Sequence, residues 1–170
     1  MSKPDIKVIP KYIEKSIIDT FQIQLKSHAK VVSLTMDPGL VSSKRKAYDC
    51  LSTLTMHSSS LIGQLSIALP KATFVNVLER MIGERVEEVT AENSDACGEI
   101  LNIVFSSSRR NINESGFDFH LAIPSTIIGQ NLTLAKANLS GYALFFECHS
   151  DLGDFLVMLS LRQAPVASAA

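Results

Sequence analysis

Glycine is scarce: eight residues are dispersed through a chain of 170. None gathers into a glycine-rich stretch, which excludes a phosphate-cradling nucleotide loop. Cysteine is scarcer still. Cys50, Cys97 and Cys148 are odd in number and far apart, a pattern that fits reduced thiols better than a disulfide framework. The four histidines, His28, His57, His120 and His149, have no metal-ligand spacing, and none pairs with a cysteine in a zinc pattern. No local signature places a base beside a Ser or Cys nucleophile, so Cys97 reads as a small buried side chain. An excess of either charge is also missing. Sixteen Lys and Arg stand against 17 Asp and Glu, for a formal net charge of −1, so bulk electrostatics offers no footprint for nucleic acid or a membrane surface. No stretch approaches the roughly 18 apolar residues of a membrane span. The opening MSKPDIKVIPKYIEK holds no apolar run of signal-peptide type. These absences lead us to expect a soluble cytoplasmic domain with no metal of its own and no nucleic-acid or membrane partner.

What is present is a core. Hydrophobic residues make up 46% of the chain, enough for one domain of ordinary size. We expect it over residues 1–163, with 164–170 as a frayed tail. Ile13, Ile17, Ile18, Phe21 and Leu25 recur at helical spacing over residues 12–29. Residues 31–35 read as a short strand, Asp37-Pro38-Gly39 as a turn and 41–49 as a polar loop. Residues 51–56 and 61–69 read as strands joined at His57-Ser58-Ser59-Ser60. After Pro70, the spacing of Phe74, Val77, Leu78, Met81 and Ile82 predicts a helix stopped by Gly83. A charged connector follows, and Thr90 is placed to cap a central helix over 91–110, with Glu92 near its positive end. Beyond a turn at 113–116, the alternation of Phe117, Phe119, Leu121 and Ile123 predicts a strand stopped by Pro124. Residues 125–129 continue extended, and further strands are expected over 132–137, 139–148 and 155–162. The order implies an α+β fold: an antiparallel sheet covered on one side by helices.

The central helix carries the most informative pattern. Asp95, Glu99 and Asn102 stand at i, i+4 and i+7, which places them on one narrow stripe, and Ser106 extends it. Their neighbours Ala96, Cys97, Ile100, Leu101, Ile103, Val104 and Phe105 are apolar. A helix this apolar is mostly buried, so its polar stripe faces water, a partner or a cavity. On pattern alone a solvated face and an active surface both remain open. Ser106-Ser107-Ser108-Arg109-Arg110 reads as a solvated helix end, with two arginines set against the negative end of the dipole.

The segment from Asp95 to Pro124 resembles the active-site motif of the CheC/CheX/FliY family of bacterial chemotaxis phosphatases. That motif is Asp or Ser, three residues, Glu, two residues, Asn, then about twenty-two residues to a proline; here it is carried by Asp95, Glu99, Asn102 and Pro124. Gly98 before the glutamate, the stretch Pro124-Ser125-Thr126-Ile127-Ile128-Gly129, and the upstream hairpin with VLERMIG are similar as well. The resemblance runs from about Tyr12 to Leu161 and is nearest to CheX. The first helix, around Asp19, has Ile23 and Lys26 where a second Glu and Asn would fall, so a single site is expected.

The resemblance implies a substrate, the aspartyl-phosphate of a phosphorylated CheY-like response regulator. Glu99 would pair with the regulator's active-site lysine, and Asn102 would orient the attacking water. Asp95, Gly98 and Pro124 would be supporting residues, with Pro124 shaping a strand end beside the helix. It implies no cofactor on this chain, Mg²⁺ held by the regulator, and a homodimer. After the Asn the family tends to small residues and a glycine, whereas this chain has Ile103-Val104-Phe105-Ser106; Phe105 is therefore expected to alter how closely a partner's helix approaches. The alternative class is a non-catalytic interaction module on the same fold, akin to the middle domain of the flagellar switch protein FliM or a degenerate adaptor.

Overall fold

A computed structural model describes residues 4–36, 47–132 and 141–165. The elements in chain order are α1 (Val8–Gln24), β1 (Ala29–Thr35), β2 (Tyr48–His57), β3 (Leu61–Leu69), α2 (Lys71–Ile82), α3 (Asp95–Glu114), β4 (Ser125–Leu132), β5 (Tyr142–Ser150) and β6 (Gly153–Gln163). The strands form one antiparallel sheet in the order β1-β5-β6-β3-β2-β4. Exchanging β1 with β4, β2 with β5 and β3 with β6 returns the same order. The chain is thus two similar halves, each a helix followed by three strands, meeting at β3 and β6, where Leu65 lies opposite Leu159.

The helices lie on one face because each carries an apolar stripe that fits the inward residues of the strands. In α1, Ile9, Ile13, Ile17 and Phe21 recur every four residues and are buried, and Phe21 stacks on Phe155 of β6 at 4.4 Å. In α3, Cys97, Ile100, Leu101, Val104, Phe105 and Ile112 do the same, over Cys50, Leu54 and Met56 of β2. The two long helices also pack along each other. Tyr48, Ala68, Ala143, Phe145, Leu156 and Met158 make a smaller apolar cluster. The central strands β3 and β6 therefore read as near-continuous apolar runs rather than clean alternations.

Several element boundaries differ from the sequence pattern, each for a local reason. The first helix is Val8–Gln24 rather than 12–29, and Lys26 takes a positive φ of 48° that ends any helical path. α2 ends as expected at Gly83, whose left-handed φ of 74° lets its N–H reach the Glu79 carbonyl. The Asp49 carboxylate accepts from the Lys71 N–H at 2.8 Å, serving the start of α2 from a strand. Thr90 does not cap the central helix directly. Its N–H donates to Asn93 Oδ1 at 2.8 Å while Asn93 N–H donates back to Thr90 Oγ1 at 3.4 Å, closing a separate turn before α3 begins at Asp95. No strand forms over 117–123. The turn at 37–39, much of the loop over 41–49, residues 133–137 of the expected strand and the end of the tail lie outside the described residues.

Candidate functional site

The polar stripe of α3 exists as a surface. Asp95 and Glu99 are exposed, Asn102 and Ser106 are half-buried, and the opposite side of the helix is in the core. None of the side chains of Asp95, Glu99 and Asn102 has a hydrogen-bond or ion-pair partner among the described residues. An acid in the first turn suits the helix dipole, which accounts for Asp95 alone. Phe105 requires a correction. It is fully buried, so it packs in the core and does not stand between the stripe and a partner. The residue that extends the stripe is Ser106.

Gly98 and Pro124 are brought together. A Cβ built on Gly98 would lie 3.6 Å from Pro124 Cβ, 3.6 Å from Ser52 Oγ and only 3.1 Å from Thr126 Oγ1. The absence of a side chain at position 98 is what lets α3 settle this closely on β2 and the start of β4. Pro124 does lie beside the helix, but it precedes the first residue of β4 instead of ending a strand.

The segment after α3 is held by the helix itself. Asn113 acts as a two-pronged clamp: its Oδ1 accepts from the Phe119 N–H at 2.8 Å, and its Nδ2 donates to the Phe119 carbonyl at 3.0 Å. Arg109 adds a bond from Nη1 to the same carbonyl at 3.3 Å. Side chains of α3 thus take the backbone groups that a strand would have given to a neighbour. Phe117 and Phe119 are buried, whereas Leu121 and Ile123 are exposed, at 73% and 90%.

The serine–arginine stretch is not a helix end either, since α3 runs on to Glu114 and has no basic residue in its last turn. Ser108 is buried, with its hydroxyl donating to the Phe105 carbonyl at 2.9 Å, and Arg110 pairs with Glu114 at 3.4 Å. Asn113 and Arg109 carried no sequence signal for their roles, because their partner is backbone.

Cysteine chemistry has no support at this site. Cys97 is buried, and its thiol is pushed well above the ordinary range, first by the neighbouring Cys50 thiol and then by burial. A thiol held protonated is a poor nucleophile. Among the described residues no group of three or more His, Cys, Asp and Glu is placed to hold a metal, and no helix there is long and apolar enough to cross a membrane. In α1 no Glu-x-x-Asn pair occurs, and Asp19 is taken up by Lys15.

Comparison with known proteins follows this geometry. Residues 51–147, more than half of the chain and including the whole stripe and Pro124, match the family described as chemotaxis phosphatase CheX. No curated protein matches the chain in sequence. Among solved structures, the chain is similar to the chemotaxis protein CheX from Vibrio vulnificus, with a TM-score of 0.81 and 21% identity over 91% of this chain and 99% of that one. A CheC-like superfamily protein from Shewanella sp. PV-4 has a TM-score of 0.82 at 18% identity, covering 93% of this chain and 99% of that chain. A third is CheX from Borrelia burgdorferi in a complex with CheY, BeF3 and Mg²⁺, with a TM-score of 0.72 and 15% identity over 94% of this chain and 99% of that one.

Proposed function

Because the chain belongs to the CheX family of chemotaxis phosphatases, we propose that it hydrolyses the aspartyl-phosphate of a CheY-like response regulator, in chemotaxis or a related two-component pathway, with Glu99 and Asn102 as its working pair. The observation that carries this reading is a stripe of polar side chains with no hydrogen-bond or ion-pair partner among the described residues, on a helix whose opposite side is in the core. An acyl phosphate is already reactive, so the catalyst's main task is to place water in line with phosphorus. An amide suits that task, because it can accept from the water while donating to a phosphoryl oxygen. Glu99 supplies the charge. Paired with the regulator's lysine, it fixes the docked register, a role in which ion pairs contribute orientation more than affinity. Asp95 supports the start of the helix. Mg²⁺ belongs to the regulator, and the reaction takes place in the cytoplasm.

The test is the decay of a phosphorylated regulator. With catalytic amounts of this protein, the label on its cognate CheY-like regulator should disappear faster than by self-hydrolysis. Should a regulator bind while its decay stays unchanged, the stripe is a docking surface and the non-catalytic module takes the place of the phosphatase.

A homodimer is the proposed working form. Edge strand β1 supports it, since Val32 and Leu34, with Met36 just beyond, are exposed at 55%, 47% and 57%. An edge strand with apolar side chains offers a surface to a second copy. Sedimentation velocity should return twice the chain mass for the wild type and the single mass for Leu34→Lys; a wild-type monomer at assay concentrations would remove the proposal.

A further inference from the structure

Beneath α3 the apolar face of β2 is interrupted. Cys50, Leu54 and Met56 present apolar groups to the helices, but between them Ser52 is fully buried with a hydroxyl. Thr126 of β4 lies directly opposite Ser52 in the ladder. Thr126 Oγ1 donates to Ser52 Oγ at 3.2 Å, and Ser52 Oγ donates on to the Ser125 carbonyl at 3.4 Å. Ser52 spends its proton on Ser125, so its oxygen is free to accept from Thr126, and the order of the two hydroxyls is fixed. What rests on this pair is Gly98, where a Cβ would come within 3.1 Å of Thr126 Oγ1. Gly98 immediately precedes Glu99 and lies about one turn before Asn102.

We infer that Thr126 is a positioning residue for the Glu99–Asn102 pair: its hydroxyl, anchored by Ser52, is the stop against which α3 seats at Gly98. A helix moves as a rigid rod over one turn. A shift at Gly98 therefore passes undiminished to Glu99 and Asn102. An oxygen at the stop fits; a methyl in its place needs a few tenths of an ångström more and also abandons Ser52. Attack in line with phosphorus is sensitive to displacements of that size. The kinetic consequence rests on the phosphatase reading, whereas the seating of the helix does not.

The experiment compares Thr126→Val with Thr126→Ser. Valine puts a methyl where the hydroxyl stood; serine keeps the hydroxyl and removes the methyl. On the phosphorylated regulator, Thr126→Val should lower kcat by about tenfold while KM and binding to the regulator charged with Mg²⁺ and beryllofluoride stay within about twofold. Thr126→Ser should behave like the wild type. Equal losses in both variants, a loss confined to KM, or full turnover in Thr126→Val would each overturn the inference. A second readout is the side-chain amide resonance of Asn102 in a ¹⁵N spectrum, expected to move in Thr126→Val and to return in Thr126→Ser. If the wild type accelerates no regulator, the phosphatase reading has failed and the resonance alone decides: a shift restored by serine supports the seating role, and an unmoved resonance ends it.

Discussion

Replacing Asn102 with alanine should lower kcat on the phosphorylated regulator by about a hundredfold or more and leave KM nearly unchanged. The amide contributes two donors and an acceptor, and alanine has none of them. With Glu99 retained, docking and register should persist on the proposed reading. The fold also persists, since the Asn102 side chain has no hydrogen-bond partner among the described residues and alanine is the better helix former by about half a kcal/mol. A loss of activity in this variant therefore cannot be assigned to unfolding. Retention of kcat within about threefold would remove Asn102 from the chemistry. Multiple-turnover decay of the label gives kcat and KM, and titration with the beryllofluoride form of the regulator gives affinity separately.

Phe105→Ala should act in the opposite manner, costing about 3–5 kcal/mol of stability and leaving turnover per folded molecule intact. In a domain of this size that corresponds to a fall of about 6–20 °C in Tm. The reason is the depth of the ring: Phe105 is fully buried in the same cluster as Cys97, Leu101 and Leu54, and alanine leaves a cavity that the sheet beneath cannot collapse into. If Phe105 instead met the partner, the variant would keep its Tm and raise KM. Thermal unfolding followed by circular dichroism, with kinetics measured well below the transition, separates the two outcomes.

Much of the site could be read from residue spacing. The i, i+4, i+7 pattern placed Asp95, Glu99 and Asn102 on one stripe because helical geometry fixes it, whatever surrounds the helix. Phe105 could not be placed that way. It stands three residues after Asn102, a rotation of only about 60°, and whether such a flank is core or surface depends on what the helix packs against. The strand over 117–123 failed for a different reason. Alternation of apolar residues reports which face a side chain takes, and says nothing of where the backbone finds its hydrogen bonds. Here the Phe119 backbone is engaged by Asn113 and Arg109, while the His120 N–H reaches β2 at the His57 carbonyl. The turn before α3 was hidden in the same way, since Thr90 can cap either a turn or a helix. The close seat of Gly98 had no local signal at all: its contacts, Ser52 and Thr126, come from distant strands. The sheet order lay beyond reach because it depends on which hairpin edges meet.

That sheet order has a consequence for how the protein is made. β6 sits between β5 and β3, yet it comes last in chain order among the described strands. Until Gly153–Gln163 has emerged from the ribosome, the sheet exists only as two separate pieces, β1 with β5 on one side and β3, β2 and β4 on the other. The pairing that closes it joins residues far apart in sequence, as between Leu65 of β3 and Leu159 of β6. Contacts of this range make folding slow, on the order of milliseconds to seconds. While the nascent chain waits, the apolar edges of β3 and β5 stay uncovered, a state that chaperones recognise and that favours aggregation when they are scarce. Of the six described strands, the one synthesised last joins the two halves.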